Sequence, residues 1–198
     1  MQTRRIKAQI DEAKAHERKT HVLYRAVVEL ARQNGNNVSA LQVGKVIDFV
    51  TEYIESAPKL MQIVEDAAHD YDAEKCIQPL LDAIEKFFLT EDDIIPDHLG
   101  LAGLLDDAYL AHTLLEAISD KYEAHSGQAL LPKEAYETNS FIRRLIGEPF
   151  VSMLDKHVAS TLEGLCQVQE IDRMLAVLRK MHLVPVRRHI QGLSLIHI

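Results

Sequence analysis

Tryptophan is absent from this chain, aromatic residues make up only 6%, and there are two cysteines, Cys76 and Cys166, ninety residues apart. Two lone cysteines give neither a disulfide framework nor the paired spacing of a zinc site, and a reducing cytoplasm is the expected setting. No window approaches the roughly 18 to 20 apolar residues of a membrane span. Arg4, Arg5 and Lys7 are followed by a polar stretch, where a signal peptide would need an apolar one. No glycine-rich phosphate loop, Ser/His/Asp set or reactive-cysteine context is present. Alternating apolar and polar residues, the mark of a half-buried strand, are missing as well.

What is present is an ordinary globular composition, 47% hydrophobic and 26% charged over 198 residues, with Leu, Ala and Ile dominating the apolar set. That length fits one domain. The apolar spacing predicts an all-α fold, a helical bundle of seven or eight helices with no sheet, filling residues 1–192 as a single domain. The last six residues, Leu193 to Ile198 (LSLIHI), match the translated end of a sequencing transposon. They are read as an adapter artefact, with the natural C-terminus lying elsewhere, and take no part in the functional reading.

The net charge of −8 is unevenly spread. Residues 1–32 carry eight Lys/Arg against four Asp/Glu, residues 46–123 carry four against nineteen, and residues 124–198 carry nine against seven. An acidic centre repels phosphates and anionic lipid, and neither end interleaves basic with aromatic residues, so nucleic acid is not an expected partner.

Residues 4–33 read as one long helix whose first half is nearly all polar between Ile10 and Val22, and that half is expected to project from the core or to cover a partner helix. Ser39 is placed to cap the next helix, Ser56 with Pro58 to restart the chain, and a fourth helix to begin at Asp72 or Gln78. Pro132 opens a short helix, Ser140 is placed to cap a following one, and residues 149–182 form the last helical region with Gly164 as a kink.

The chain concentrates its breakers and acids between Glu91 and Tyr122. Ile94-Ile95-Pro96 is extended because a residue preceding proline is pushed out of the α region, which makes Asp97 the expected N-cap of the apolar helix that follows. At 100° per residue, Leu101, Leu104, Leu105, Ala108, His112, Leu115 and Tyr122 share one face of that helix. Asp106, Tyr109, Thr113, Glu116 and Asp120 share the opposite, polar face, and Asp106 is expected to be solvated there. Asp107 falls on the flank of Gly100 and Gly103, two glycines whose cost in a helix implies the close approach of another backbone. An acid there needs partners: the N–H groups of residues 91–97, a basic side chain, or a metal.

The string Asp93-Ile-Ile-Pro96-Asp97 followed by Gly103-Leu-Leu-Asp106-Asp107 resembles the YkvA-like domain of bacterial proteins, which carries Asp-x-x-Pro-Asp and then Gly-x-x-Asp-Asp at this spacing. The resemblance covers about residues 76–115. It implies an all-helical domain and points to Asp93, Asp97, Gly103, Asp106 and Asp107 without assigning a reaction. Gly100 stands where that family often has proline, and the helix after Asp107 is too polar for the membrane association of many members.

Two functions compete. In the first, the acids cap helix ends and fasten loop to helix, and the protein is a soluble binding or regulatory module that acts through a protein partner and needs no cofactor. In the second, Asp93, Asp97 and Asp107, with His98 or His112 nearby, hold Mg²⁺ or Mn²⁺ for a phosphohydrolase-like reaction. His112, alone on an apolar face, is expected to be a hydrogen-bonded core residue. His16-Glu17-x-x-x-His21 is one residue too long for zinc-protease geometry, and His69-Asp70 resembles the HD-type phosphohydrolases only if distant His21 and Asp106 or Asp107 join it.

Overall fold

The computed structural model describes residues 2–90, 94–166 and 171–180, and within them the chain is helical, with no strand. The helices are α1 (Gln2–Thr20), α2 (Val22–Gln33), α3 (Ala40–Asp70), α4 (Glu74–Leu89), α5 (Leu104–Ser126), α6 (Lys133–Ile146), α7 (Phe150–Cys166) and α8 (Ile171–Lys180), and a 3₁₀ segment, Asp97–Ala102, precedes α5. The expected all-α bundle is therefore what forms. Asp93 and Leu193 to Ile198 lie outside the described residues, as does the side chain of Asp97.

The long helix expected over 4–33 is two helices. His21 adopts a left-handed conformation, φ 53°, between them. The break is stabilised by Glu17, a buried carboxylate that accepts the N–H groups of Leu23 at 2.9 Å and Tyr24 at 3.0 Å, so that it caps α2 and places negative charge at its positive end. This is where the near-miss His-Glu motif finds its purpose. Nor does the first half project. Ile6, Ile10 and Ala13 are buried, and α1 packs against α3, α4 and the 3₁₀ segment. Its stripe is narrow, so the helix reads as polar in sequence while one edge lies in the core.

α3 runs unbroken for 31 residues with Pro58 inside it. Ser39 starts it with a capping box, its Oγ accepting the Gln42 N–H while the Gln42 side chain accepts the Ser39 N–H. Burial on both sides of the proline, from Val50, Tyr53 and Ile54 to Leu60, Met61 and Val64, holds the helix through the lost backbone bond. α4 starts at Glu74, between the two expected positions, and α6 is one helix without a restart at Ser140. In the last region the described residues form α7 and α8, and Gly164 lies within α7.

α5 is the axis of the bundle. It packs against α3, α4, α6 and α7, and buries Leu104, Leu105, Leu110, Leu114, Leu115 and Ile118 among them. Each such side chain contributes about 1.5–3 kcal/mol when removed from water.

Candidate functional site

Pro96 directs the chain into the 3₁₀ turn, its carbonyl accepting the Leu99 N–H at 3.0 Å. Asp97 opens this segment and does not cap the apolar helix, because α5 begins only at Leu104, with Gly103 as its N-cap residue. The turn cannot continue smoothly into a helix because Gly100 sits at φ 67°, ψ −126°. A Cβ there would lie 2.9 Å from Cδ2 of His16 and 3.3 Å from the carbonyl oxygen of Ala13. The backbone approach inferred from the glycines is thus real at Gly100, and the approaching element is α1.

Asp106 overturns its expected place. It is 1% exposed, and its Oδ2 accepts the Ile95 N–H at 3.0 Å, so this acid fastens the 94–96 turn to α5. Asp107 is buried beside it, and both occupy the first turn of α5, where the helix dipole favours negative charge. The two acids line a cleft with Lys86, Thr90 and His157. The wheel placed Asp106 outward because it assumed one solvated face. α5 has none along its first turns: Tyr109, on the face expected to be polar, is 2% exposed, and its hydroxyl donates to Oδ1 of Asp155 at 2.8 Å. Arg143 reaches the same Asp155 at 2.6 Å and donates to the Tyr109 oxygen at 3.2 Å, tying α5, α6 and α7 together. Burial, then the Asp155 carboxylate, pushes the Tyr109 hydroxyl up to about 12.

Of the candidate metal ligands whose side chains are described, His98 and His112 lie apart from Asp107. His98 is exposed in a cleft with Glu12, His16 and Gly100 on the α1 side. His112 faces α3. Its Nε2 lies 2.8 Å from Oγ of Ser56 and 3.2 Å from the Tyr53 carbonyl, with the ring 4.3 Å from that of Tyr53. Since the Ser56 hydroxyl donates to the Tyr53 carbonyl at 2.6 Å, its oxygen is left to accept, and the neutral Nε2–H tautomer satisfies the set. Burial lowers the His112 pKa to about 4, so the ring is neutral in its core position, as its lone place on the apolar face implied. His69 pairs with Glu74 on the surface at 3.1 Å. Among the described residues no three His, Cys, Asp or Glu side chains converge as metal ligands would.

A different place has the form of a binding site. Between α3, α5 and α6 lies a small cleft of about 40 Å³, with Phe49, Leu60, Leu115, Leu131 and Ala135 as apolar wall. Its polar lining includes Asn139, His112 and Glu116. Asn139, 5% exposed, accepts the Tyr53 hydroxyl at 2.7 Å through Oδ1. Glu116 has a buried Oε1 without a hydrogen-bond partner among the described residues, and burial raises its carboxyl to about 7, with Asp120 and Asp155 adding to the rise and Asn139 opposing it. The charged side chains lining the cleft are Glu52 and Glu116, both acidic.

Sequence reasoning saw His112 but not its neighbours. Glu116 looked like one more acid of the polar face, and its significance depends on α6 covering that face of α5. A signal did exist in Asn139, the polar residue three positions before Ile142 and two before Phe141, on the face that α6 buries. Comparison with protein-family models, with curated proteins and with solved structures yields no match to this chain.

Proposed function

We propose that this protein is a helical binding module whose ligand site is the cleft between α3, α5 and α6, and that its acidic motif is structural. The observation that carries the reading is the presence of Glu116, Asn139 and His112 in the lining of one apolar cleft, the combination of greasy wall and few polar groups that small-molecule sites use. Support for the structural role of the motif comes from the bond between Asp106 and the Ile95 N–H. Membership of the YkvA-like family belongs to the same proposal and rests on the paired Asp-x-x-Pro-Asp and Gly-x-x-Asp-Asp strings. So does a cytoplasmic setting, in keeping with two cysteines, Cys76 and Cys166, that form no disulfide, while no described helix is long and apolar enough to cross a membrane.

The metal-dependent hydrolase reading draws less support, since Asp107, His98 and His112 line three separate clefts. A ligand-observed NMR screen of small fragments tests the binding reading. Fragments that bind wild type and lose binding in Ala135→Phe, which fills the cleft, support it. A set of binders indifferent to Ala135→Phe and to a second filling variant, Thr138→Phe, refutes it.

A further inference from the structure

We propose that the cleft recognises a small organic monocation, an ammonium group on a hydrocarbon body, with Glu116 as its counter-ion. This rests on the reading of the cleft as a binding site and gives that site a ligand class. The wall contributed by Phe49, Leu60 and Leu115 removes a hydrocarbon body from water, while the charges on the lining, Glu52 and Glu116, are both negative. α3 and α5, which supply those two acids, belong to the stretch 46–123 with four Lys/Arg against nineteen Asp/Glu, so the field at the mouth attracts cations and disfavours carboxylate or phosphate ligands.

The interior supplies the specific group. Glu116 lines the cleft, and its carboxylate, already hydrogen-bonded to Asn139, is the group with which an ammonium N–H would pair. The titratable groups described around it come from four elements. From α3 come Tyr53, whose hydroxyl is committed to Asn139, and Glu52; from α5 come Asp120 and neutral His112; from α7 comes Asp155, and the nearby Arg143 of α6 is already paired with it.

Because burial raises the Glu116 carboxyl to about 7 and only its carboxylate pairs with an ammonium, affinity for an amine rises with pH below that value. Between pH 5 and pH 8 the expected gain is about 100-fold, about tenfold per pH unit until the group is ionised. A neutral isostere has no such dependence.

The test is calorimetric titration of the full chain with phenethylamine, 2-phenylethanol and phenylacetate at pH 5 and pH 8, repeated with Glu116→Gln and Ala135→Phe. The expected result is phenethylamine binding that tightens about 100-fold with pH, pH-independent binding of the alcohol and none of phenylacetate, with amine affinity in Glu116→Gln at least tenfold weaker at pH 8 and no longer pH-dependent. Equal affinity for amine and alcohol at pH 8, or an unchanged Glu116→Gln, overturns the cation inference while loss of alcohol binding in Ala135→Phe keeps the cleft reading. If wild type binds none of the probes, or Ala135→Phe and Thr138→Phe both bind them as wild type does, both readings fall.

Discussion

Replacing Glu116 by glutamine is expected to stabilise the protein at pH 8 and to leave it almost unchanged at pH 4. Glutamine keeps the shape and can still accept from Asn139, but it carries no charge into the half-buried site. The carboxyl titrates at about 7 in the fold against 4.5 as a free side chain, chiefly because burial disfavours the ionised form. The folded chain therefore binds more protons than the unfolded chain between those values, and stability falls as pH rises through the window. At about 1.4 kcal/mol per pKa unit the full penalty would be about 3.4 kcal/mol, and solvent screening of a partly exposed group cuts it to about half, roughly 1.5–2 kcal/mol.

For a chain of this length that gain corresponds to a rise in Tm of about 3–7 °C at pH 8. Below the unfolded value both forms of Glu116 are protonated, and the advantage vanishes. His112 works in the opposite sense: its folded pKa of about 4 lies under the ordinary 6.5, so it removes stability as pH falls from 6.5 toward 4. Its effect is common to wild type and variant and cancels in their difference. Thermal melts of both proteins at pH 4 and pH 8, followed by circular dichroism, give that difference directly. A Glu116→Gln advantage equal at both pH values, or a loss of stability at pH 8, would refute the argument that burial holds this carboxyl high.

Three further substitutions bear on the motif and the helix break. Gly100→Ala forces a non-glycine residue to φ 67° against His16 and the Ala13 carbonyl, and urea unfolding should show a loss of about 1–3 kcal/mol; a neutral result would mean that α1 does not press on this turn. Asp106→Ala removes the acceptor of the Ile95 N–H and should cost about 1–3 kcal/mol in the same assay, whereas the exposed Asp120→Ala should stay within about 0.5 kcal/mol for its own loss of the Tyr136 contact. Equal effects would restore the solvated reading of Asp106. Glu17→Ala strips the cap from α2 and should lower stability by about 1–2 kcal/mol, with backbone exchange at Leu23 and Tyr24 accelerated most; unchanged exchange there would deny the cap.

The helical class and most helix positions were legible because the apolar period is regular and Ser39, Asn34-Gly35 and Pro132 are strong boundary signals. Boundaries failed where tertiary contact overrode a local preference. Pro58 ought to end a helix, yet packing on both sides carries α3 through it. His21 carries no breaker signal, and the break exists because Glu17, four residues earlier, can cap a new start. The acidic motif was found by its residues but its roles were exchanged: the wheel began at Asp97, six residues before the N-cap of α5, and a helical phase carried across the left-handed Gly100 is lost.

α5 shows why the chemistry of this fold has to be sought away from the most conspicuous acids. Its polar side chains are distributed around the axis, and most are committed to a neighbouring element. Asp106 holds the preceding turn, Tyr109 joins Arg143 and Asp155, and His112 bonds Ser56 of α3. Ser119 accepts the N–H groups of Leu130 and Leu131 at 3.0 and 3.2 Å, and Asp120 accepts the Tyr136 hydroxyl at 2.9 Å. These bonds place α3, α6, α7 and the connecting turns around one helix in a fixed register, and removing one of the buried ones, such as that of Asp106 or Ser119, leaves a polar group to the desolvation penalty. Glu116 stands on the same helix, between His112 and Ser119, with a buried oxygen that none of those elements satisfies. In a helix whose polar groups otherwise specify the packing, a half-buried carboxyl held at about 7 beside an apolar cleft detracts from stability at neutral pH, and the ligand-binding reading gives that cost a function.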